Sequence, residues 1–440
     1  MMSTGLQTDL YHPDAAYVSW RAGLNSVTTF DLYTRHAPFG GAYLLVAGLE
    51  QAVDFIRSFR YTETDLGYLA AIRGYDPAFL DELRRLRFTD EVLAMPEGTV
   101  AFPHEPILRV SAPFREALLL ESGLMHAIGP ATLIATKAAR VVHAAGGRPV
   151  AEFGFRRAQA PFVATRSAMI GGCVSTSFLA AAQRYDQPPS GTIPHAIVQL
   201  FDNEAEAFRA VAESFDRYTL LLDTYDVHRA IHTAVEVAHE AQARLNHTLD
   251  AVRLDSGDLA GDSRYVRSLL DRSGLGHVHI LASGDLDEFS VTILAEDGAP
   301  IDAFGVGTSI AVGAGSPANA IPGGALGTVY KEVWSETGGV TAKVKAAGDK
   351  STWPGRKLVY RIGAYEEDVI ALESEPAPPG GLPLLQPVIH NGELRADGVP
   401  PLAEAIAHAR TNLDQLPTAY HDLTAPPPYP ARFTDALESL

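Results

Sequence analysis

From about residue 148 onward, short apolar runs alternate with amphipathic stretches at spacings of roughly 25–30 residues, the period of repeated βα units. The runs at 149–153, 191–193 (with an extension to 200), 218–223, 251–254, 278–282, 302–306 and 327–333 read as strands. Helical patterns lie between most of them. Asn203 and Glu206, for example, have capping-box spacing, and Phe208, Val211, Ala212 and Phe215 form an apolar stripe behind them. This constrains the region to a parallel (β/α) barrel, with a doubly wound sheet as the competitor.

Residues capable of chemistry fall at the ends of these runs. Phe153-Gly154-Phe155-Arg156-Arg157 follows the first, and Thr192 to His195 lies in the second. Asp223 ends the third. Asp255, Ser256 and Asp258 follow the fourth, Ser283-Gly284-Asp285 follows the fifth, and Gly305-Val306-Gly307-Thr308 ends the sixth. Parallel strands would gather them at one C-terminal face, where barrel enzymes place their sites. The fourth unit is the most informative. A strand ending in two carboxylates and a hydroxyl, just before a helix N-terminus, suits a metal-bound phosphate sugar. It equally suits an ordinary Asp/Ser helix cap.

Other residues have plainer readings. Arg156 and Arg157 read as a solvated pair. Arg253 does not, because a cation inside a strand needs an anionic partner. Taken alone, His195 reads first as a hydrogen-bonded core histidine. Gly305-Val306-Gly307 is not a dinucleotide fingerprint, since position 310 is Ile. His228 and His232 read as an exposed helix face rather than a metal pair, with no third ligand evident.

Composition narrows the function classes. The 440 residues include 53 acidic and 35 basic side chains, a net charge of −18, which disfavours nucleic acid or an anionic membrane as partner. The single cysteine, Cys173, excludes an intrachain disulfide and a cysteine-rich zinc site. No apolar run reaches membrane-spanning length, and the first ten residues lack a signal-peptide pattern, so a cytoplasmic enzyme is expected.

Before residue 148, Thr8-Asp9-Leu10-Tyr11 reads as a turn-prone arm, and 27–33 as a strand. Residues 76–93 predict two short helices. Residues 98–103 and 107–110 predict hairpin strands, and 115–144 a helix broken near Gly129-Pro130. Lys343, Lys345, Lys350, Arg356 and Lys357 mark a basic loop region. The expected domains are an N-terminal α/β domain (1–147), a barrel (148–334) and a C-terminal segment (335–440) returning to the first.

Several segments together are similar to the nicotinate phosphoribosyltransferases, of the type II phosphoribosyltransferase fold. They are Thr8-Asp9-Leu10-Tyr11, Phe30-Asp31-Leu32 with Pro38-Phe39-Gly40, Ile134-Ala135-Thr136-Lys137-Ala138-Ala139-Arg140 and Glu152-Phe153-Gly154-Phe155-Arg156-Arg157. Asp223-Thr224-Tyr225-Asp226, Arg253-Leu254-Asp255-Ser256-Gly257-Asp258, Gly305-Val306-Gly307-Thr308 and Pro354-Gly355-Arg356-Lys357 continue the series in the family's order. The resemblance implies an irregular (β/α) barrel packed against an N-terminal α/β domain. It implies transfer of phosphoribose from phosphoribosyl pyrophosphate to nicotinate, with Mg²⁺, coupled to ATP hydrolysis through a phosphohistidine, in NAD salvage.

By the same resemblance, Asp255 and Asp258 serve the ribose and metal region, with Asp255 the metal ligand and Asp223 in support. Ser283, Gly284, Gly305, Gly307 and Thr308 serve the 5′-phosphate. Phe153 stacks on the pyridine ring, and Tyr11 covers its other face from a neighbouring subunit, which implies a homodimer. Arg156 and Arg253 hold the ring carboxylate or nearby phosphates. Ser177 suits a carboxylate where nicotinamide-using relatives have Asp, and His195 is the phosphorylated residue. A nicotinamide or quinolinate phosphoribosyltransferase and a non-catalytic phosphosugar-binding barrel are the alternative functions. The chain departs from the family at His12-Pro13-Asp14 and around His195.

Overall fold

Six strands form the sheet that carries the strand-end residues. The computed structural model describes residues 4–336, 341–342 and 352–440. It divides into two compact units, 137–320 and 1–136 with 321–440. Lys343, Lys345 and Lys350 of the basic loop lie outside the described residues.

In the 137–320 unit the strands lie in the order Ser175–Thr176, Val150–Glu152, Ala303–Val306, His279–Ser283, Thr248–Leu254 and Arg217–Leu221. Every pair is parallel, so all carboxyl ends share one edge of an open half-barrel. Val252, Leu254, Ile280, Ala282, Phe304 and Val306 are fully buried. Three of the covering helices begin on an aspartate whose side chain accepts a backbone N–H: Asp226 before Val227–Leu245, Asp258 before Leu259–Arg272 and Asp287 before Glu288–Glu296. Each such cap contributes roughly 1 kcal/mol and sets where the strand-end loop stops.

The second expected strand is absent. Residues 191–194 are irregular, and His195–Leu200 is a short helix with Pro194 as its N-cap. Proline lacks the N–H that a sheet interior needs. Its place is taken by Ser175–Thr176, which pairs with Ala151 and Glu152. The run at 327–333 is a strand, Thr328–Ser335, but it pairs antiparallel with Val27–Thr34 in the other unit.

That other unit holds a seven-stranded sheet. Residues 76–93 give one helix, Pro77–Arg85, and then a strand, Glu91–Ala94, paired with Leu108–Pro113. Val100–Ala101 pairs with Leu44–Leu45 rather than forming the expected hairpin. The helix Glu121–Ala144 runs straight through Pro130, and the break falls at Leu120. Most of this helix is buried, and tertiary packing outweighs the intrinsic cost of one proline. The N-terminal arm is likewise a helix, Tyr11–Arg21, with Pro13 in its first turn, where proline is tolerated. No helix among the described residues is long and apolar enough to cross a membrane.

Asp31 ties this sheet to the C-terminal strand Lys357–Ile362. Its carboxylate meets Arg109 Nε at 3.2 Å and Lys357 Nζ at 2.9 Å, and its side chain is fully buried. Asp31→Ala leaves two buried cations without their anion. The variant is expected to lose roughly 3–5 kcal/mol of stability, read as a lower urea midpoint at unchanged m-value.

Candidate functional site

Arg253 lies next to last in the strand Thr248–Leu254, and its guanidinium is held by three elements at once. Nε donates to Ser283 Oγ at 2.7 Å, Nη1 to Thr192 Oγ1 at 2.9 Å and Nη2 to Asp255 Oδ1 at 2.5 Å. Ser283 Oγ also donates to Asp255 Oδ1 at 2.6 Å, so one hydroxyl links cation and carboxylate. Burial alone would raise the Asp255 carboxyl. The Ser283 hydrogen bond, the Arg253 charge and His195 outweigh it and hold the group below the usual carboxylate value. Gly284 follows Ser283 with φ +94°, and a Cβ there would stand 1.8 Å from the Asp255 carbonyl oxygen. Only glycine lets the two loops meet.

Asp255 Oδ2 faces His195 Nε2 at 3.7 Å, and His195 Nδ1 lies 3.1 Å from Thr224 Oγ1. The imidazole is 40% exposed, so it is not the packed core histidine that its isolated sequence position suggests. Asp223 Oδ2 accepts a hydrogen bond from Ser256 Oγ at 2.5 Å. Asp223 Oδ1 is buried and has no hydrogen-bond donor among the described residues. Asp258 spends Oδ1 on its helix cap, accepting from Gly261 N at 3.0 Å, so the capping reading holds for that oxygen.

A buried carboxylate organises the opposite side. Glu152 is 1% exposed; Oε1 accepts from Gly154 N, and Oε2 accepts from Thr165 Oγ1 at 3.1 Å and Thr176 Oγ1 at 2.6 Å. Its backbone carbonyl accepts from Ser177 N at 2.9 Å. Glu152 therefore fixes the loops of Phe153 and Ser177 together. Phe153 N donates to Val306 O at 2.9 Å, and the Phe153 ring fills the space a Gly305 side chain would need, 2.5 Å from its ideal Cβ. The Arg253 guanidinium stands 5.9 Å from the centre of that ring, within cation–π range. Gly307 caps the short helix Thr308–Ala311, and Thr308 is exposed.

Phe153, His195, Arg253, Asp255, Ser283, Gly284 and Gly305 thus form one connected cluster at the sheet's carboxyl edge. Gly307 is joined to it through the Phe153–Gly154 backbone, and Ser177 through Glu152. Arg156 is exposed. Tyr11 belongs to the other unit, where it is 54% exposed and donates to Glu121 Oε1 at 3.4 Å. Thr192 was expected only within the run Thr192 to His195, and Thr224 and Glu152 only within longer motifs, none with a role of its own. Their sequence signal is weak, because a threonine or glutamate beside a strand end is ordinarily solvent-facing. His228 stacks on Tyr265 with ring centres 4.0 Å apart, on an exposed helix face.

Residues 6–129 match the family described as the nicotinate phosphoribosyltransferase (NAPRTase) N-terminal domain. A nicotinate phosphoribosyltransferase of Mycobacterium tuberculosis is 39% identical over 426 residues, covering 95% of this chain and 89% of that protein. The nicotinate phosphoribosyltransferase of Bacillus subtilis is 41% identical over 386 residues, covering 85% of this chain and 77% of that one. The crystal structure of human nicotinic acid phosphoribosyltransferase superposes with a TM-score of 0.84 at 30% identity, covering 98% of each chain.

The Asp255 environment yields a pH prediction. A carboxyl held low is ionised above its folded pKa, and its stabilising pairing is lost as pH falls through that value. Arg253→Ala leaves burial opposed mainly by Ser283, so the Asp255 pKa rises. The acid limb of the kcat/KM profile is expected to move to higher pH in the variant. The plateau is expected to fall by roughly 2–4 kcal/mol in transition-state binding. An unmoved acid limb in a folded variant would separate Arg253 from the titration of Asp255.

Proposed function

The chain belongs to the nicotinate phosphoribosyltransferase family, and we propose that it makes nicotinate mononucleotide and pyrophosphate from nicotinate and phosphoribosyl pyrophosphate, coupled to ATP hydrolysis, for NAD salvage. The observation that carries this reading is the cluster of Arg253, Ser283 and Asp255 at the carboxyl edge of the sheet, with His195 beside it. Departure of pyrophosphate leaves an oxocarbenium-like ribose. Carboxylates beside the sugar stabilise that cation, and fixed N–H and cationic groups receive the phosphates. Asp255 and Asp223 take the first role. Arg253, Ser283, Gly284, Gly305, Gly307 and Thr308 take the second, and Asp258 borders the sugar. Phe153 offers a ring face to the pyridine, with Arg156 and Ser177 near its carboxylate. Tyr11 closes the other face from a second copy, so the working unit is a homodimer.

The donor set fits Mg²⁺, which takes one or two protein carboxylates and completes its shell with substrate phosphates and water. Asp255 would hold it, and the orphaned Asp223 Oδ1 is a second hard oxygen for it. Bound there, the metal would neutralise charge on the pyrophosphate.

His195 is the residue we assign to the ATP reaction. In the tautomer that carries its proton on Nδ1, donating to Thr224 Oγ1 3.1 Å away, Nε2 keeps its lone pair. Attack on the γ-phosphorus forms the P–N bond, breaks the bond to the β-phosphate bridging oxygen and releases ADP. Water later cleaves the P–N bond to give phosphate. Nearly two negative charges beside Asp255 in the meantime reorganise the neighbouring loop and alter phosphoribosyl pyrophosphate binding.

Two outcomes are expected in an assay of labelled base with and without ATP. Nicotinate is used and nicotinamide is nearly ignored, because the hydroxyl of Ser177 tolerates a carboxylate that an Asp would repel. Comparable turnover of both bases would refute this. His195→Asn keeps a hydrogen-bonding group but cannot form a ring phosphoramidate. It should lose ATPase activity and ATP stimulation while retaining slow ATP-independent transfer. An acid-labile phosphoprotein with full ATP stimulation in that variant would assign the phosphate elsewhere.

A further inference from the structure

Tyr11 opens a helix with more than half of its surface exposed, yet it does not stand free. Its hydroxyl donates to Glu121 Oε1 at 3.4 Å. The other oxygen of the same carboxylate lies 3.3 Å from Nε2 of His12, the next residue, whose side chain is fully buried. The two rings are in contact, with centres 4.0 Å apart and planes inclined by 38°. His12 Nδ1 is in turn 2.9 Å from Thr8 Oγ1 and 3.5 Å from Ser122 Oγ. Ser122 Oγ donates to Asp9 Oδ2 at 2.7 Å, which binds the chain just before Tyr11 to the start of the helix Glu121–Ala144.

Among the described residues His12 Nε2 has no aligned hydrogen bond, only the proximity of Glu121. Burying an imidazole against a carboxylate adds little stability after desolvation, and such pairs are kept where they fix one geometry. What this pair can fix is Tyr11: its ring is backed by the imidazole, and its hydroxyl is tied to the same carboxylate. Burial first, then the Glu121 and Asp9 charges, push the phenol up to about 12, so it stays a donor to Glu121. One turn on, Asp14 accepts from Tyr75 OH at 2.6 Å and from Arg73 Nη2 at 2.8 Å, which anchors the helix that carries the ring.

We infer that His12 is a positioning residue: with Glu121 it clamps the Tyr11 ring in the orientation that stacks on the pyridine substrate. The inference rests on the role given to Tyr11 under the proposed function. A flat ring gains from stacking only in a restricted set of offsets, so a ring held in place binds a flat base more tightly than one that swings.

The test is steady-state kinetics of the full-length enzyme with nicotinate and phosphoribosyl pyrophosphate varied separately. His12→Gln keeps a donor at the Nε2 position facing Glu121, and His12→Asn keeps one only at the Nδ1 position facing Thr8. His12→Asn and Glu121→Gln are expected to raise the nicotinate KM about tenfold and to leave the phosphoribosyl pyrophosphate KM within about twofold, the mark of lost orientation at one substrate. His12→Gln should restore the nicotinate KM. Tyr11→Ala should raise it at least as much as His12→Asn. A wild-type nicotinate KM in both His12→Asn and Glu121→Gln, with Tyr11→Ala impaired, overturns the clamp and spares the role of Tyr11. A wild-type Tyr11→Ala overturns both. Parallel rises in both KM values, with no rescue by Gln, mean a structural role only and also overturn the clamp.

Discussion

A guanidinium inside a parallel strand must be met by acceptors on every side that water cannot reach. Arg253 imposes that demand, and the loops around it are shaped by the answer. Asp255 supplies the charge, Ser283 bridges, and Thr192 draws in the segment before His195. Gly284 then has to be glycine, because the Asp255 carbonyl occupies the position of its side chain. The dependency runs from one part-buried cation to a loop conformation and from there to the surroundings of His195.

Glu152 does the corresponding work three strands away. A fully buried carboxylate accepting from a backbone N–H and two threonine hydroxyls fixes both adjacent strand ends. Between these two poles stands Phe153, pressed against Gly305 on one side and facing Arg253 on the other. The aromatic surface is thus located by backbone and charge rather than by an apolar pocket. That suits a ligand that is flat on one part and anionic on another.

The sheet was readable where a strand is long and apolar. The runs at 251–254, 278–282 and 302–306 are strands, and their polar ends do meet, because parallel pairing forces them to one edge. Legibility failed where packing overrode local pattern. Ser175–Thr176 is too short to show a period, and its pairing is fixed by Glu152, a residue far along the chain. The 191–200 segment has β-branched residues at Thr192, Ile193, Ile197 and Val198, but Pro194 makes it a helix start. Pro130 looked like a helix end, yet burial carries the helix through it. Arg253 was legible as a cation in need of a partner. Thr192 and Thr224 were not, because a hydroxyl's role depends on what folding places opposite it.

Two half-buried carboxylates at this edge of the sheet, Asp255 and Asp223, have the same asymmetry. Asp255 commits Oδ1 to Arg253 and Ser283, which turns Oδ2 towards His195. Asp223 commits Oδ2 to Ser256 and leaves Oδ1 buried without a donor. In each, one oxygen is a structural anchor that fixes the plane of the group, and the other is aimed by it. An aimed oxygen needs little reorganisation when positive charge develops nearby, which is where electrostatic preorganisation gains its advantage over water. The anchors are also shared: Ser283 serves both Arg253 and Asp255. Removing any one of the three disturbs the other two, so the effects of substituting them will not add. The structural unit at this edge is the hydrogen-bonded set rather than any single member of it.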